Sequence, residues 1–267
     1  MPSINLKDVE KVRALAPKRF RFADVPAVRE HKERGHHIVG LKFPSLQRLF
    51  LAETGIVTLN GPYGPYKFLT DKGQIDAALA WQDRYSSFIF LRDNLDCSMA
   101  LDFNLAEAGI YTPLGQAEHD AKETHESAAV KTLAAACVSA IKKVSFYRGC
   151  DMVCAVPPSP NKRWDLPTEI TKLVAAKTGK SNLSPEVQFQ KKKNSVKALP
   201  LDQKWLALEN AGLQVSASVK GKKVILIDDK YQSGTTAQFV ASRLYEAGAK
   251  EVHGLFCVKT WRDTDNQ

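Results

Sequence analysis

No long apolar run appears anywhere in the 267 residues, and the N-terminus carries no apolar stretch of the secretory kind. A membrane-crossing helix needs roughly 18 consecutive apolar residues, so none is expected, and the expected location is the cytoplasm. Cysteine is scarce and odd in number, with five residues (Cys97, Cys137, Cys150, Cys154, Cys257) in a long chain, which argues for reduced thiols. Cys150 and Cys154 enclose only Asp-Met-Val, and no second cysteine or histidine pair lies near them, so both read as core residues. His36-His37, and His119 with His125, likewise lack partners at ligand spacing, and no direct side-chain metal site is expected. Repeats and low-complexity tracts are missing. So is a Walker A loop: Thr178-Gly179-Lys180-Ser181 has Val174 where the first glycine should stand. That tetrapeptide also closes a helix, which makes Gly179 a C′ residue.

What is present is ordinary globular composition, 44% hydrophobic and 25% charged, with a net charge of +9. Basic residues concentrate at the start (Lys7, Lys11, Arg13, Lys18, Arg19, Arg21, Arg29, Lys32, Arg34) and again at Lys191-Lys192-Lys193. This balance favours an anionic partner: a pyrophosphorylated substrate, a nucleic acid or an acidic protein face.

The most informative stretch is Val224-Ile-Leu-Ile-Asp228-Asp229-Lys230-Tyr231-Gln232-Ser233-Gly234-Thr235-Thr236. Its apolar opening reads as a buried strand, and Ala237 to Ala247 reads as a helix with Val240, Leu244 and Ala247 on one face. A strand that ends in acids and turns through Ser-Gly-Thr-Thr into a helix suits a phosphorylated ligand. The helix N-terminus offers unpaired N–H groups, the hydroxyls add donors, and Gly234 lets the backbone come close. The two carboxylates suit sugar hydroxyls or a bound Mg²⁺. A Walker B element is the competing reading of a strand ending in Asp-Asp, and it lacks its Walker A partner.

Upstream, residues 1 to about 35 lack an apolar period and read as a mobile arm or a peripheral helix. Short strands are expected at Ile38–Phe43, Leu46–Leu51, Ile56–Leu59 and Phe88–Leu91, with a helix over Gln74–Arg84. The second half alternates. A helix at Glu126–Lys143 is followed by a strand at Met152–Val156, a helix at Thr168–Lys177, the Val224–Ile227 strand with its helix, and a strand at Val252–Val258. That order predicts a parallel sheet with helices on both faces, and a ligand at the strands' carboxyl ends. The loop Pro157-Pro158-Ser159-Pro160-Asn161-Lys162-Arg163 leaves the Met152–Val156 strand with the hydroxyls and cations that a pyrophosphate needs.

The Asp-Asp segment resembles the phosphoribosyl pyrophosphate (PRPP) signature of type I phosphoribosyltransferases. Val156-Pro157-Pro158-Ser159-Pro160 is similar to the Val-Pro-Leu-Ser-Pro loop of the ComF-like members. Leu199 to Leu213 matches that pattern in length and placement, and the resemblance covers about Tyr111 to Thr260. Lys230, Tyr231 and Gln232 depart from the small or threonine residues usual there, and Arg163-Trp164-Asp165-Leu166 departs from Arg-Gly-Phe-Asn.

The resemblance implies a type I phosphoribosyltransferase core over residues 111–267, with an N-terminal arm and cap or hood over 1–110. It implies Mg²⁺-dependent transfer of phosphoribose from PRPP to a nitrogen nucleophile, an unidentified nucleobase-like small molecule, with release of pyrophosphate and with the Mg²⁺ held mainly by PRPP. It assigns Asp228 and Asp229 to the ribose, and Gln232, Ser233, Gly234, Thr235 and Thr236 to the 5′-phosphate. Ser159, Arg163 and a mobile loop carrying Lys191, Lys192 and Lys193 fall to the pyrophosphate. As an isolated charge run that loop reads instead as a solvated surface. The second function class on this fold is a PRPP-sensing or DNA-associated binding protein. Both classes allow a homo-oligomer.

Overall fold

The computed structural model describes residues 4–31, 36–192 and 199–262. Its centre is a seven-stranded sheet. In spatial order the strands are Arg19–Phe20, Ile89–Leu91, Cys97–Phe103, Glu251–Lys259, Lys223–Tyr231, Met152–Ala155 and Ser181–Asn182. From Cys97–Phe103 onward every neighbouring pair is parallel, whereas Arg19–Phe20 with Ile89–Leu91, and Ile89–Leu91 with Cys97–Phe103, pair antiparallel. The sheet is therefore mixed, and the wholly parallel expectation is corrected. The connection from Leu91 to Cys97 is too short for a crossover helix, so only antiparallel pairing is open to it. Residues on both sides of position 110 build this one sheet.

Helices cover both faces. Pro113–Thr124, Ser127–Lys143 and Leu166–Thr178 pack on one face, where Ala117, Leu133 and Ile170 meet Val153, Ile225, Ile227 and Leu255. Leu6–Ala14, Leu201–Ala211 and Thr235–Glu246 pack on the other, where Val9, Leu208 and Val240 meet Cys154, Val224 and Leu226. Successive residues of the Val224–Ile227 run thus serve opposite cores, which is why the strand reads as an unbroken apolar run. Among the described residues no helix is long and apolar enough to cross a membrane.

The first hundred residues hold a further correction. Leu46–Leu51 lies in a helix, Pro44–Thr54, with Pro44 in its first turn and Gly55 ending it at φ 70°. Its buried residues Leu46, Leu49 and Phe50 follow helical spacing, a pattern hidden by their high density in a short run. The opening segment contains a helix, one of its two expected readings: Leu6–Ala14, held at its start by reciprocal bonds between Asn5 and Asp8. A second, four-stranded antiparallel sheet runs in the order Val28–His31, His36–Gly40, Gly64–Leu69, Leu59–Gly61.

The core topology positions the site. After Met152–Ala155 the chain passes through Leu166–Thr178 to Ser181–Asn182 on one side. After Lys223–Tyr231 it passes through Thr235–Glu246 to Glu251–Lys259 on the other. The loops at the ends of these two adjacent strands diverge, and such a reversal opens a crevice at the strands' carboxyl ends.

Candidate functional site

A cleft of about 690 Å³ lies at that reversal. The strand carrying the acids runs further than expected. It continues through Asp228 and Asp229 to Tyr231, paired with Glu251–Lys259 as far as Tyr231 opposite Lys259, whereas its pairing with Met152–Ala155 stops at Ile227. The two acids therefore sit on a strand edge uncovered on one side, and not on a free loop tip. Asp228 is half-buried, and its Oδ1 accepts the Asp229 N–H at 3.0 Å. Asp229 is buried.

Beyond the strand, Gln232, Ser233, Gly234, Thr235 and Thr236 all line the cleft. Gly234 stands at φ 70° as the N-cap of Thr235–Glu246, with no side chain of its own to cap that helix. Ser233 Oγ accepts the Thr235 N–H at 3.5 Å, and the later first-turn N–H groups have no partner within the helix. The Ser233 and Thr235 hydroxyls meet at 3.1 Å. Gly234 is required twice over, because a Cβ there would strike the Tyr231 hydroxyl and ring. Tyr231 in turn is fixed: its ring packs on Phe256 at 4.7 Å and its hydroxyl donates to Asp93 Oδ2 at 3.3 Å. Asp93 is pushed up to about 6 by burial, held back by bonds from Ser98, the Leu95 N–H and Tyr231. Gln238 Oε1, one turn into the helix, accepts from the Asn94 side chain at 2.7 Å. A turn from the N-terminal half thus braces the Gly234 loop and its helix.

Ser159 reaches the cleft from the proline loop, and Lys162 beside it pairs with Asp165 at 3.0 Å. Arg163 is exposed and does not line the cleft, and neither do Lys191 and Lys192, which are also exposed. Lys193 lies outside the described residues. The cleft's cations come instead from Lys122, Lys162, Lys204 and Lys230.

Lys122 and Lys230, with Glu118, form a charge network that motif reading missed. Glu118 and Lys122 lie one turn apart on Pro113–Thr124 and pair at 2.6 Å. Lys122 also pairs with Asp229 at 2.9 Å, and Lys230 with Glu118 at 2.8 Å. Burial raises the Asp229 carboxyl above the usual carboxylate range, although Lys122 pulls it back. Burial pulls the Lys122 ammonium down, but Asp229 and Glu118 outweigh it and hold it above the ordinary lysine value. The signals were present: Thr112-Pro113 is a helix start, and Glu118 with Lys122 is a stabilising i, i+4 pair. Gly115 fixes this helix in place, since any Cβ there would collide with the Asn104 carbonyl.

Glu118 is 1% exposed and serves two ammoniums, so Glu118→Gln is expected to cost about 2 kcal/mol, a loss of charged hydrogen bonds. A thermal melt several degrees below wild type is the expected reading; an unchanged melt would show that the lysines are equally well held by solvent.

The remaining candidates fall outside the site. Gly179 ends the helix Leu166–Thr178 at φ 70°, and Lys180 donates to the Arg148 and Cys150 carbonyls at 3.0 and 2.5 Å. The Walker-like tetrapeptide is thus a helix stop. All five cysteines are free and buried, and burial pushes Cys150 and Cys154 up to about 12, as suits core thiols. His119 lines the cleft and stacks on Tyr111 at 5.0 Å, and His125 stacks on Trp164 at 4.0 Å. No group of three or more His, Cys, Asp or Glu side chains converges as a metal site among the described residues. No protein-family model matches the chain, and no curated protein matches it either.

Proposed function

We propose that the protein is a phosphoribosyltransferase of the type I fold, moving phosphoribose from PRPP to a nitrogen nucleophile and releasing pyrophosphate. The observation that carries this reading is the convergence, in one cleft, of the Asp228–Asp229 pair, the hydroxyl-rich helix start Ser233–Thr236, and Ser159 from the neighbouring strand's loop. The helix start, with its first-turn N–H groups and the Ser233, Thr235 and Thr236 hydroxyls, holds the 5′-phosphate. That anchor turns binding energy remote from the reacting carbon into orientation. Asp228 and Asp229 accept from the ribose hydroxyls, and their charge favours the cation that develops on the sugar ring as the bond to pyrophosphate breaks.

The departing pyrophosphate meets Ser159, Lys162 and Lys204. Lys162 and Lys204, which line the cleft, take the part that the resemblance assigns to Arg163 and the Lys191–Lys193 loop. Mg²⁺ arriving with PRPP would face Asp228 on the cleft wall and would offset charge on the leaving group. A PRPP-sensing protein would use the same cleft without chemistry, so the test is turnover. Incubation with PRPP, Mg²⁺ and a panel of nucleobases and amines is expected to release pyrophosphate with one acceptor class. PRPP binding without pyrophosphate release from any of them would favour the sensing reading.

A further inference from the structure

The four-stranded antiparallel sheet has one face that packs into the core and one that does not. Register sets Val28 beside Val39, and these are buried together with Leu69. The alternate positions project the other way: Arg29, Ile38 and Phe68 in one row, Gly40, Tyr66 and Leu59 in the next. This outer face carries rings. Tyr66 and Phe68 meet edge to face at 5.9 Å, and Phe68 and His31 at 5.8 Å. Tyr63, in the turn between Leu59–Gly61 and Gly64–Leu69, is 90% exposed, and Leu59 is 59% exposed. Gly61 gives Tyr66 its seat, since a Cβ there would lie 2.7 Å from the ring's Cε1.

A cavity of about 270 Å³ opens on this face between Arg29, Ile38, Lys42, Tyr63 and Tyr66, and among the described residues no carboxylate lines it. Tyrosine rings beside cations, with no acid, match a ligand that is flat and aromatic in one part and anionic in the next. A second copy of the chain would bring Arg29 and Lys42 towards their own equivalents across a two-fold axis, which like charges oppose. Nucleobases stack on tyrosine whatever their identity, and phosphates meet the cations between them.

We propose that this face binds single-stranded nucleic acid, with bases stacked on Tyr63 and Tyr66 and backbone phosphates held by Arg29 and Lys42. The surface is separate from the PRPP-type cleft, and either assignment can fail without the other.

The test is fluorescence anisotropy of the full chain with a labelled oligothymidylate of roughly 15 nucleotides. Binding is expected to weaken steadily with added salt. Tyr63→Ala, at an exposed position where folding is not at stake, should weaken it about fivefold or more. Replacing Arg29 and Lys42 together by Gln should flatten the logarithmic salt dependence by about 1.4, two phosphates' worth. Throughout, the Tyr63→Ala protein should respond to PRPP as wild type does. The proposal is overturned by any of four results: no binding of the oligomer; wild-type binding by Tyr63→Ala; loss of binding only when Lys191, Lys192 and Lys193 are replaced by Ala; or equal affinity for a free nucleoside monophosphate.

Discussion

Asp229→Asn is expected to lower PRPP affinity tenfold or more while leaving the fold intact. Burial raises the Asp229 carboxyl in the folded state. As pH rises, the unfolded chain therefore gives up this proton first. Stability is lost between the ordinary carboxylate value and the raised folded one, and the loss is complete above the latter. The amide removes that cost but also takes one carboxylate from Lys122, which keeps Glu118 as its partner at 2.6 Å, so the two effects oppose and the melt should move little. Ligand binding loses a charge-assisted acceptor at the ribose, for which tenfold (about 1.4 kcal/mol) is a modest expectation. Asp228→Asn should lose affinity similarly with little change in melting, since Asp228 is only half-buried. Calorimetric titration with PRPP and Mg²⁺, beside thermal melts, separates the cases. Wild-type affinity in both variants would remove the acids from the ribose. A collapse in the stability of Asp229→Asn would make that residue a structural partner of Lys122 first.

Gly234→Ala is expected to damage fold and site together. At φ 70° a side chain costs about 1–2 kcal/mol in backbone strain alone. The new Cβ would also fall on the Tyr231 hydroxyl and 2.7 Å from its Cε2. The ring cannot easily yield, because Phe256 packs on it and Asp93 accepts from its hydroxyl. The loop must move instead, carrying the N–H groups at the helix start away from the phosphate. A stability loss of roughly 3 kcal/mol is expected, with PRPP binding lost at concentrations that saturate wild type. A variant that melts like wild type and binds PRPP normally would show that Gly234 does not set the loop.

The central strands and helices of the second half were legible because the strands serve two cores and the helices one, whereas the elements between Ser181 and Val215 were not separated by periodicity. Ile225 and Ile227 face one helix layer while Val224 and Leu226 face the other. The Gly234 loop was legible because it needs a special φ and hydroxyls at consecutive positions. The first hundred residues were less so. Leu46, Leu49 and Phe50 are helical neighbours inside a run short enough to pass for a strand, and Cys97–Phe103 joins the central sheet although its place beside Glu251–Lys259 is set by distant chain. The charge network was hidden for the same reason. Asp229 and Lys122 are far apart in sequence, and only tertiary packing brings them to 2.9 Å. Arg163, Lys191 and Lys192 do not line the cleft whereas Lys204 does, and a run of three lysines draws attention in a sequence while a single lysine buried on a helix does not.

The central claim is that the cleft is built for PRPP, and thermal unfolding with PRPP and Mg²⁺ tests it most directly. Ligand at about 100 times its Kd adds roughly 2.7 kcal/mol, a rise of several degrees for a chain of this size. The account predicts that rise with PRPP and a smaller one with ATP and Mg²⁺. No shift with millimolar PRPP, or a larger shift with ATP, would contradict it.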